Sequence, residues 1–185
     1  MTKMQENFSK VSRNNLPNIL SLSRIFLTIP IVVCIYTGTD FSNIIAMLLV
    51  LVAAATDVLD GLIARRMKLV TDVGKFLDPL SDKILICSIF ITMIETIHIP
   101  FWAVILIIVR ELAVTSLRSM AVQKVVLEAK WAGKWKTALQ LICILLLLSK
   151  FKIYGLYLFY LVVILTLFSG AMYFISYFKK YDKNP

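Results

Sequence analysis

The sequence predicts an all-α protein embedded in a membrane, with six transmembrane helices and a short N-terminal helix on the cytoplasmic surface. Of its 185 residues, 59% are hydrophobic, and a mean hydropathy of +0.84 does not describe a soluble domain. Six apolar stretches are each about 20 residues long, the length that a helix needs to cross a bilayer's hydrocarbon core. These observations predict a polytopic membrane protein.

The predicted elements follow one another with short polar connections. We expect a juxtamembrane segment over residues 1–15, a transmembrane domain over 16–180 and a C-terminal tail over 181–185. The first segment mixes charged, polar and a few apolar residues, which fits either a surface helix or a frayed terminus. It has no hydrophobic core followed by a small-residue cleavage site, so we expect no secretory signal peptide. The six spans are expected at about 18–37, 41–64, 74–97, 101–122, 131–148 and 154–178.

Basic residues are distributed unevenly around these spans. The chain carries 20 Lys and Arg against 11 Asp and Glu, a formal net charge of +9. With the loops placed alternately on the two sides, Lys150 and Lys152 fall on one side, and the lysines and arginines of the other loops and both termini on the opposite side. The positive-inside rule then puts both termini and this basic side in the cytoplasm. We expect the charge to meet anionic lipids of the cell (inner) membrane rather than nucleic acid.

Acidic residues are concentrated where the second and third spans meet the cytoplasm. The window from Asp57 to Asp82 holds five of the eleven acidic residues. Positions 57, 60, 61, 64 and 65 share one face of the second span, and Asp78 and Asp82 share a face of the third. Ionisable groups at membrane depth are costly and usually functional. The window is therefore the candidate active site.

Four clustered carboxylates need a compensating charge, because they cannot all stay ionised alone. Divalent cations supply it, and oxygen ligands favour Mg²⁺, Mn²⁺ or Ca²⁺ over Zn²⁺. Gly61 and Gly74 remove side chains where a ligand approaches the backbone, and Arg65 is placed to bind a phosphate. Paired cations beside such a gap suit a pyrophosphate. The alternative is that the acids form interhelical salt bridges with Arg65, Lys75 and Lys83.

The complete pattern resembles the signature of the CDP-alcohol phosphatidyltransferase family at every position: Asp57-x2-Asp60-Gly61-x2-Ala64-Arg65-x8-Gly74-x3-Asp78-x3-Asp82. The resemblance implies six transmembrane helices, usually a homodimer, a cytoplasm-facing cavity and two Mg²⁺ or Mn²⁺ ions per subunit. It implies that the ions are held by Asp57, Asp60, Asp78 and Asp82, and that Asp82 is also the base for the acceptor hydroxyl. It assigns CDP-lipid binding to Asn18, Ser21, Asp60, Gly61, Ala64, Arg65 and Gly74.

Three further segments bear on the acceptor alcohol. They are similar to segments of bacterial phosphatidylglycerophosphate synthases: residues 16–24, Arg110-Glu111-x3-Thr115-x2-Arg118 and Gly133-Lys134-x-Lys136-Thr137. Their basic residues could surround an anionic acceptor such as sn-glycerol 3-phosphate, and we assign the acceptor phosphate to Arg110, Arg118, Lys134 and Lys136. Alternatively, Arg118 and the lysines only anchor helix ends. Arg24, near the start of the first span, either snorkels to the interface or serves the site.

The sequence therefore predicts transfer of a phosphatidyl group from CDP-diacylglycerol to sn-glycerol 3-phosphate, giving phosphatidylglycerophosphate and CMP. One rival is a family member with another acceptor, such as phosphatidylglycerol for cardiolipin synthesis or inositol phosphate. A divalent-cation or proton transporter is a rival from another class, but it needs ionisable residues toward the outer face, where the third span offers only Glu95. The sixth span has no ionisable residue inside and is expected to serve packing or subunit contact.

Overall fold

The computed structural model describes the backbone of residues 21–67, 72–120 and 130–181, and side chains over 21–58, 79–117 and 135–175. These residues form six helices and a few short turns, as the sequence predicts for this part of the chain. The expected surface helix within residues 1–15 lies outside it. The helices are α1 (Ser21–Thr37), α2 (Asp40–Met67), α3 (Asp72–Thr96), α4 (Phe101–Met120), α5 (Lys130–Leu148) and α6 (Lys152–Tyr181).

The helices extend a few residues beyond several of the predicted spans. α2 continues to Met67 and α3 begins at Asp72, beyond the predicted spans 41–64 and 74–97, so the two helices are closer in sequence than predicted. Hydropathy marks only the apolar part of a helix, whereas Arg and Met are good helix formers that extend it into polar surroundings. Pro79 consequently lies inside α3 rather than in its first turn.

Two of the described helices are long and apolar enough to cross a membrane. These stretches are Asp40–Val58 in α2 and Lys152–Ile175 in α6, with hydropathies of 2.0 and 2.2. Ser21–Thr37 and Trp135–Leu148 are shorter apolar helices. Length and composition thus favour a membrane protein, and the crossing of all six helices stays a prediction.

The turn between α1 and α2 follows from three small residues. Gly38 has a φ of +67°, in the left-handed region that glycine adopts without strain. The Ser42 N–H donates to Thr39 Oγ1 at 3.1 Å, and the Thr39 N–H donates to Ser42 Oγ at 3.1 Å. This reciprocal cap satisfies amides at the start of α2, so the chain reverses within a few residues.

The chain divides into two compact units, residues 1–88 and 89–185. The first contains α1, α2 and most of α3. In this unit, α1 buries Ile31 and Ile35, and α2 buries Ala46, Val50 and Ala53. These positions recur at intervals of three and four residues, so each helix has one buried stripe.

The second unit contains the end of α3 with α4, α5 and α6. In it, α6 packs against both α4 and α5. A Cβ on Gly155 would lie 2.8 Å from the backbone nitrogen of Leu147, so glycine is needed for this close approach. The rings of Phe90 and Phe159, both fully buried, lie 5.7 Å apart between centroids. α6 thus contributes packing, as the sequence predicts.

Candidate functional site

The first unit brings two of the four predicted metal ligands to one cation, the guanidinium of Arg24. Its Nη1 lies 3.0 Å from Asp57 Oδ1 and also contacts Asp82 Oδ1. The same nitrogen donates to Ser81 Oγ at 3.3 Å. Because Arg24 is on α1, Asp57 on α2 and Asp82 on α3, three helices meet here. The two carboxylates therefore share one environment, as a common metal site requires.

The position of Arg24 follows from the polar start of the buried stripe on α1. Ser21, Arg24 and Thr28 are buried and lie on the helix face that continues through Ile31 and Ile35. The Thr28 hydroxyl donates to the Arg24 carbonyl at 3.0 Å, so it is satisfied within its own helix. A buried guanidinium needs anionic partners. The two aspartates supply them.

Sequence reasoning left Arg24 undecided between a snorkelling residue and a functional one. Only 2% of it is exposed, and it is bound to two predicted metal ligands, so it does not snorkel. The spacing of Ser21, Arg24 and Thr28 from the apolar stripe was the signal that could have placed it inside. The suggested alternative partners of the acids were Arg65, Lys75 and Lys83. The side chains of Arg65 and Lys75 lie outside the described part, and the described ion pairs of Asp57 and Asp82 are with Arg24.

The other residues of the signature are placed by backbone alone. Asp60, Gly61, Ala64 and Arg65 belong to α2, and Gly74 and Asp78 belong to α3, so the predicted helical spacings hold. Their side chains, like all of Asn18, lie outside the described part. The described side chains include no group of three or more His, Cys, Asp or Glu able to hold a metal ion. Two of the four predicted ligands are not among them.

The described donor set fits a hard divalent cation. Carboxylate oxygens are the ligands that Mg²⁺ and Mn²⁺ prefer, and Asp57 and Asp82 already converge on one positive group. Their side chains are 47% and 35% exposed, whereas Arg24 is buried. An ion can therefore reach the carboxylates from solvent while Arg24 faces them from inside the protein.

In the second unit, Glu111 lies at the centre of a second charged cluster. Glu111 and Lys136 are 2% and 4% exposed, and Lys136 Nζ contacts Glu111 Oε1. Arg110 Nη1 lies 3.4 Å from the same oxygen, and Gln140 Nε2 donates to it at 3.5 Å. Helices α4 and α5 thus share a buried ion pair with polar neighbours. This pairing compensates the charge of Glu111 and so lowers the free-energy cost of burying it.

Helix α6 contacts the Arg110 side chain through Ser169 and Gly170. Arg110 Nη2 donates to Ser169 Oγ at 2.7 Å, and Ser169 Oγ donates to the Thr166 carbonyl at 3.1 Å. A Cβ on Gly170 would lie 2.9 Å from Arg110 Cγ, so the missing side chain makes room for the arginine. Sequence reasoning missed Ser169 and Gly170. A Ser-Gly pair within an apolar helix was the available signal, because small residues mark close helix contacts in membranes.

Two of the four residues assigned to the acceptor phosphate are thus brought together. Arg110 and Lys136 both face Glu111, and the side chains of Arg118 and Lys134 lie outside the described part. Among the described side chains, two cations contact this one carboxylate. The cluster can attract an anion, and phosphate binding stays a prediction.

The chain is similar in sequence to one protein family and to several individual proteins. The family model of the CDP-alcohol phosphatidyltransferases matches residues 14–168. A Mycobacterium tuberculosis protein named a probable phosphatidylglycerophosphate synthase is 36% identical over 133 residues, 70% of this chain. The chain spans only 64% of the length of that relative.

Two further relatives bear the name CDP-diacylglycerol–glycerol-3-phosphate 3-phosphatidyltransferase. The Bacillus subtilis protein is 39% identical over 148 residues, which cover 72% of this chain and 76% of that protein. The Haemophilus influenzae protein is 32% identical over 169 residues, which cover 86% of this chain and 91% of that protein. The matches therefore extend well beyond the aspartate signature.

Proposed function

This chain belongs to the CDP-alcohol phosphatidyltransferase family, and from that membership we propose that it transfers a phosphatidyl group from CDP-diacylglycerol to sn-glycerol 3-phosphate. The products are phosphatidylglycerophosphate and CMP. The observation that carries the proposal is the convergence of Asp57 and Asp82 on one cation. The names of the relatives support the choice of acceptor.

The aspartates of the signature would hold the metal. Asp57, Asp60, Asp78 and Asp82 would bind two Mg²⁺ or Mn²⁺ ions per subunit. When bound, these ions would neutralise the pyrophosphate of the substrate and the departing CMP. Oxygen ligands alone, on two neighbouring helices, suit such hard ions.

Asp82 is the proposed base. Its carboxylate accepts the proton of the acceptor hydroxyl, whose oxygen then attacks the β-phosphorus of CDP-diacylglycerol. The bond from that phosphorus to the oxygen bridging it to the CMP phosphate breaks, and CMP leaves with the bond electrons. The partial exposure of Asp82 supports this role, because a hydroxyl must reach the carboxylate.

The substrate-binding residues of the proposal come from two parts of the chain. The CDP-lipid is assigned to Asn18, Ser21, Asp60, Gly61, Ala64, Arg65 and Gly74. The phosphate of the acceptor is assigned to Arg110, Arg118, Lys134 and Lys136, since guanidinium and ammonium groups bind phosphate oxygens strongly. The convergence of Arg110 and Lys136 on Glu111 supports the second assignment, because it brings two of these four cations together.

The proposal includes a membrane arrangement. The domain over residues 16–180 would cross the cell membrane six times as a homodimer, with both termini and the active site in the cytoplasm. The apolar stretches in α2 and α6 support an integral membrane protein. The uneven distribution of basic residues supports the orientation and contact with anionic lipids.

An acceptor screen tests the reaction. Full-length protein purified in detergent is given CDP-diacylglycerol, and released CMP is measured by chromatography. We expect CMP only when sn-glycerol 3-phosphate and Mg²⁺ or Mn²⁺ are both present, and phosphatidylglycerophosphate as the lipid product. Parallel reactions contain glycerol, serine, inositol, inositol phosphate or phosphatidylglycerol. Turnover with one of these but not with sn-glycerol 3-phosphate would refute the acceptor assignment.

A further inference from the structure

We propose that Arg24 is an internal counter-ion that competes with divalent metal ions for Asp57 and Asp82. Its guanidinium holds the two carboxylates together, and metal binding would weaken or break this contact. The inference depends on the proposed function in one respect, namely that these aspartates bind the metal. It adds a residue to the site that the aspartate signature does not include.

The contacts of Arg24 are those of a cation standing between two anions. One nitrogen, Nη1, meets the Oδ1 atoms of both carboxylates, so the two acids are bridged rather than paired separately. Ser81 Oγ accepts a further hydrogen bond from the same nitrogen. Arginine stays protonated in proteins. The bridging charge is therefore present whenever the side chain is in place.

Burial makes this contact costly to leave unmade. Arg24 is almost completely buried in the first unit, and a buried cation that loses anionic partners is strongly destabilised. The same argument holds for the acids, since neighbouring carboxylates repel when no cation lies between them. The guanidinium thus stabilises the arrangement of Asp57 and Asp82 that a metal ion also needs.

The same geometry makes Arg24 a competitor of the metal. A divalent ion held by the carboxylates of Asp57 and Asp82 would compete with the Arg24 guanidinium, which now contacts both carboxylates. It would also place two positive charges close together, one of them the buried guanidinium, so that their repulsion is screened less than in bulk water. Binding of the metal and contact with Arg24 are therefore coupled unfavourably.

Replacement of Arg24 by glutamine removes the competing charge and keeps a polar side chain. We expect Arg24→Gln to bind Mn²⁺ with an apparent Kd about fivefold lower than the wild type, or lower still. Mn²⁺ binding to full-length protein in detergent can be measured by electron paramagnetic resonance of the free ion. Lys150→Gln, which removes one positive charge from an exposed position in the turn before α6, is the matched control. It should bind as the wild type does.

A second measurement does not depend on absolute stability. Because a ligand raises the melting temperature more when it binds more tightly, the rise on replacing EDTA by Mn²⁺ should increase from wild type to Arg24→Lys to Arg24→Gln. Lysine keeps the charge, but its ammonium is shorter in reach and more strongly hydrated than a guanidinium. If Arg24→Gln does not fold, a larger rise in Arg24→Lys than in wild type supports the inference, and an equal or smaller one overturns it.

The outcomes separate this inference from the proposed function. Equal or weaker Mn²⁺ binding by Arg24→Gln, in a protein whose wild type binds Mn²⁺ and releases CMP, overturns the competition alone. Wild-type protein that neither binds Mn²⁺ nor releases CMP overturns the proposed function together with the inference. Tighter binding by Arg24→Gln and an unchanged Lys150→Gln support both.

Discussion

Two charged clusters in the described part of the chain differ in which charge outnumbers the other in their ion pairs. The Arg24 cluster in the first unit sets two carboxylates against one cation, and the Glu111 cluster in the second unit sets two cations against one carboxylate. Among the ion pairs of the described side chains, carboxylates thus outnumber cations in the first cluster and cations outnumber carboxylates in the second. This difference is the basis for proposing a metal cation at the first cluster and an anionic group such as a phosphate at the second.

The clusters also differ in which partner reaches solvent. In the Arg24 cluster the carboxylates are partly exposed and the cation is buried, so an incoming ion meets its ligands first. In the Glu111 cluster the carboxylate and Lys136 are both buried, and 12% of the Arg110 side chain is exposed. The first cluster is open to a ligand, whereas the second depends more on its internal contacts for stability.

The largest expected effect is a loss of activity and tests the Arg24 cluster. Asp57→Asn keeps the shape of the side chain but removes a charge that the metal needs, so CMP release should fall about 10³-fold or more, a loss of several kcal/mol in transition-state stabilisation. Asp40→Asn changes the same residue type at the exposed start of the same helix and should keep full activity. Near-normal turnover by Asp57→Asn would show that the convergence of Asp57 and Asp82 on one cation has no role in the reaction.

The next effect is a loss of stability and tests the Glu111 cluster. Glu111→Gln leaves the ammonium of Lys136 buried without its carboxylate, which should lower the free energy of unfolding by about 3–5 kcal/mol. Glu95→Gln, at an exposed position on α3, should change it little. Thermal melting in detergent measures both.

A double variant separates the structural role of Lys136 from phosphate binding. Glu111→Leu with Lys136→Met replaces the ion pair by apolar side chains and should recover most of the stability lost in Glu111→Gln. If Lys136 binds the acceptor phosphate, this stable double variant still has a raised KM for sn-glycerol 3-phosphate. An unchanged KM would assign Lys136 to stability alone.

The smallest effect concerns the contact of Arg110 with Ser169 and Gly170 on α6. Gly170→Ala puts a Cβ against Arg110 Cγ, so the arginine must shift and its hydrogen bond to Ser169 weakens. A hydrogen bond to a charged group contributes about 1.5–3 kcal/mol, so the KM for sn-glycerol 3-phosphate should rise about tenfold. The KM for CDP-diacylglycerol and the behaviour of Ala171→Val, an exposed neighbour on α6, should not change. Equal changes in both KM values would contradict a role in acceptor binding for the contact of Arg110 with α6.

Local patterns sufficed for much of the candidate site. Asp57 and Asp60 share α2, and Asp78 and Asp82 share α3, at the spacings that the sequence shows. Helical periodicity is a property of neighbouring residues and needs no knowledge of the fold. Hydropathy likewise located the helices, with errors of a few residues at their ends, because it marks the apolar part of a helix and not its last hydrogen bond.

Pairing between distant residues was not predictable in the same way. The sequence pattern predicts that Lys136 binds a phosphate, which stays a prediction, and it gives no sign of the contact with Glu111, 25 positions away. Ser169 and Gly170 lie 59 and 60 positions from Arg110 and carry no charge to draw attention. Which polar groups meet depends on helix packing, and single-residue properties do not specify it.

By itself the amino-acid sequence determined the helical class, the face of each helix that carries the aspartates and the family to which the chain belongs. Those features depend on composition and on spacings within one helix. Only the tertiary structure decided that Arg24 bridges Asp57 and Asp82, and that Glu111 stands between Arg110 and Lys136. A buried charge takes whichever opposite charge the packed helices bring within reach, and that choice is made only when the helices come together.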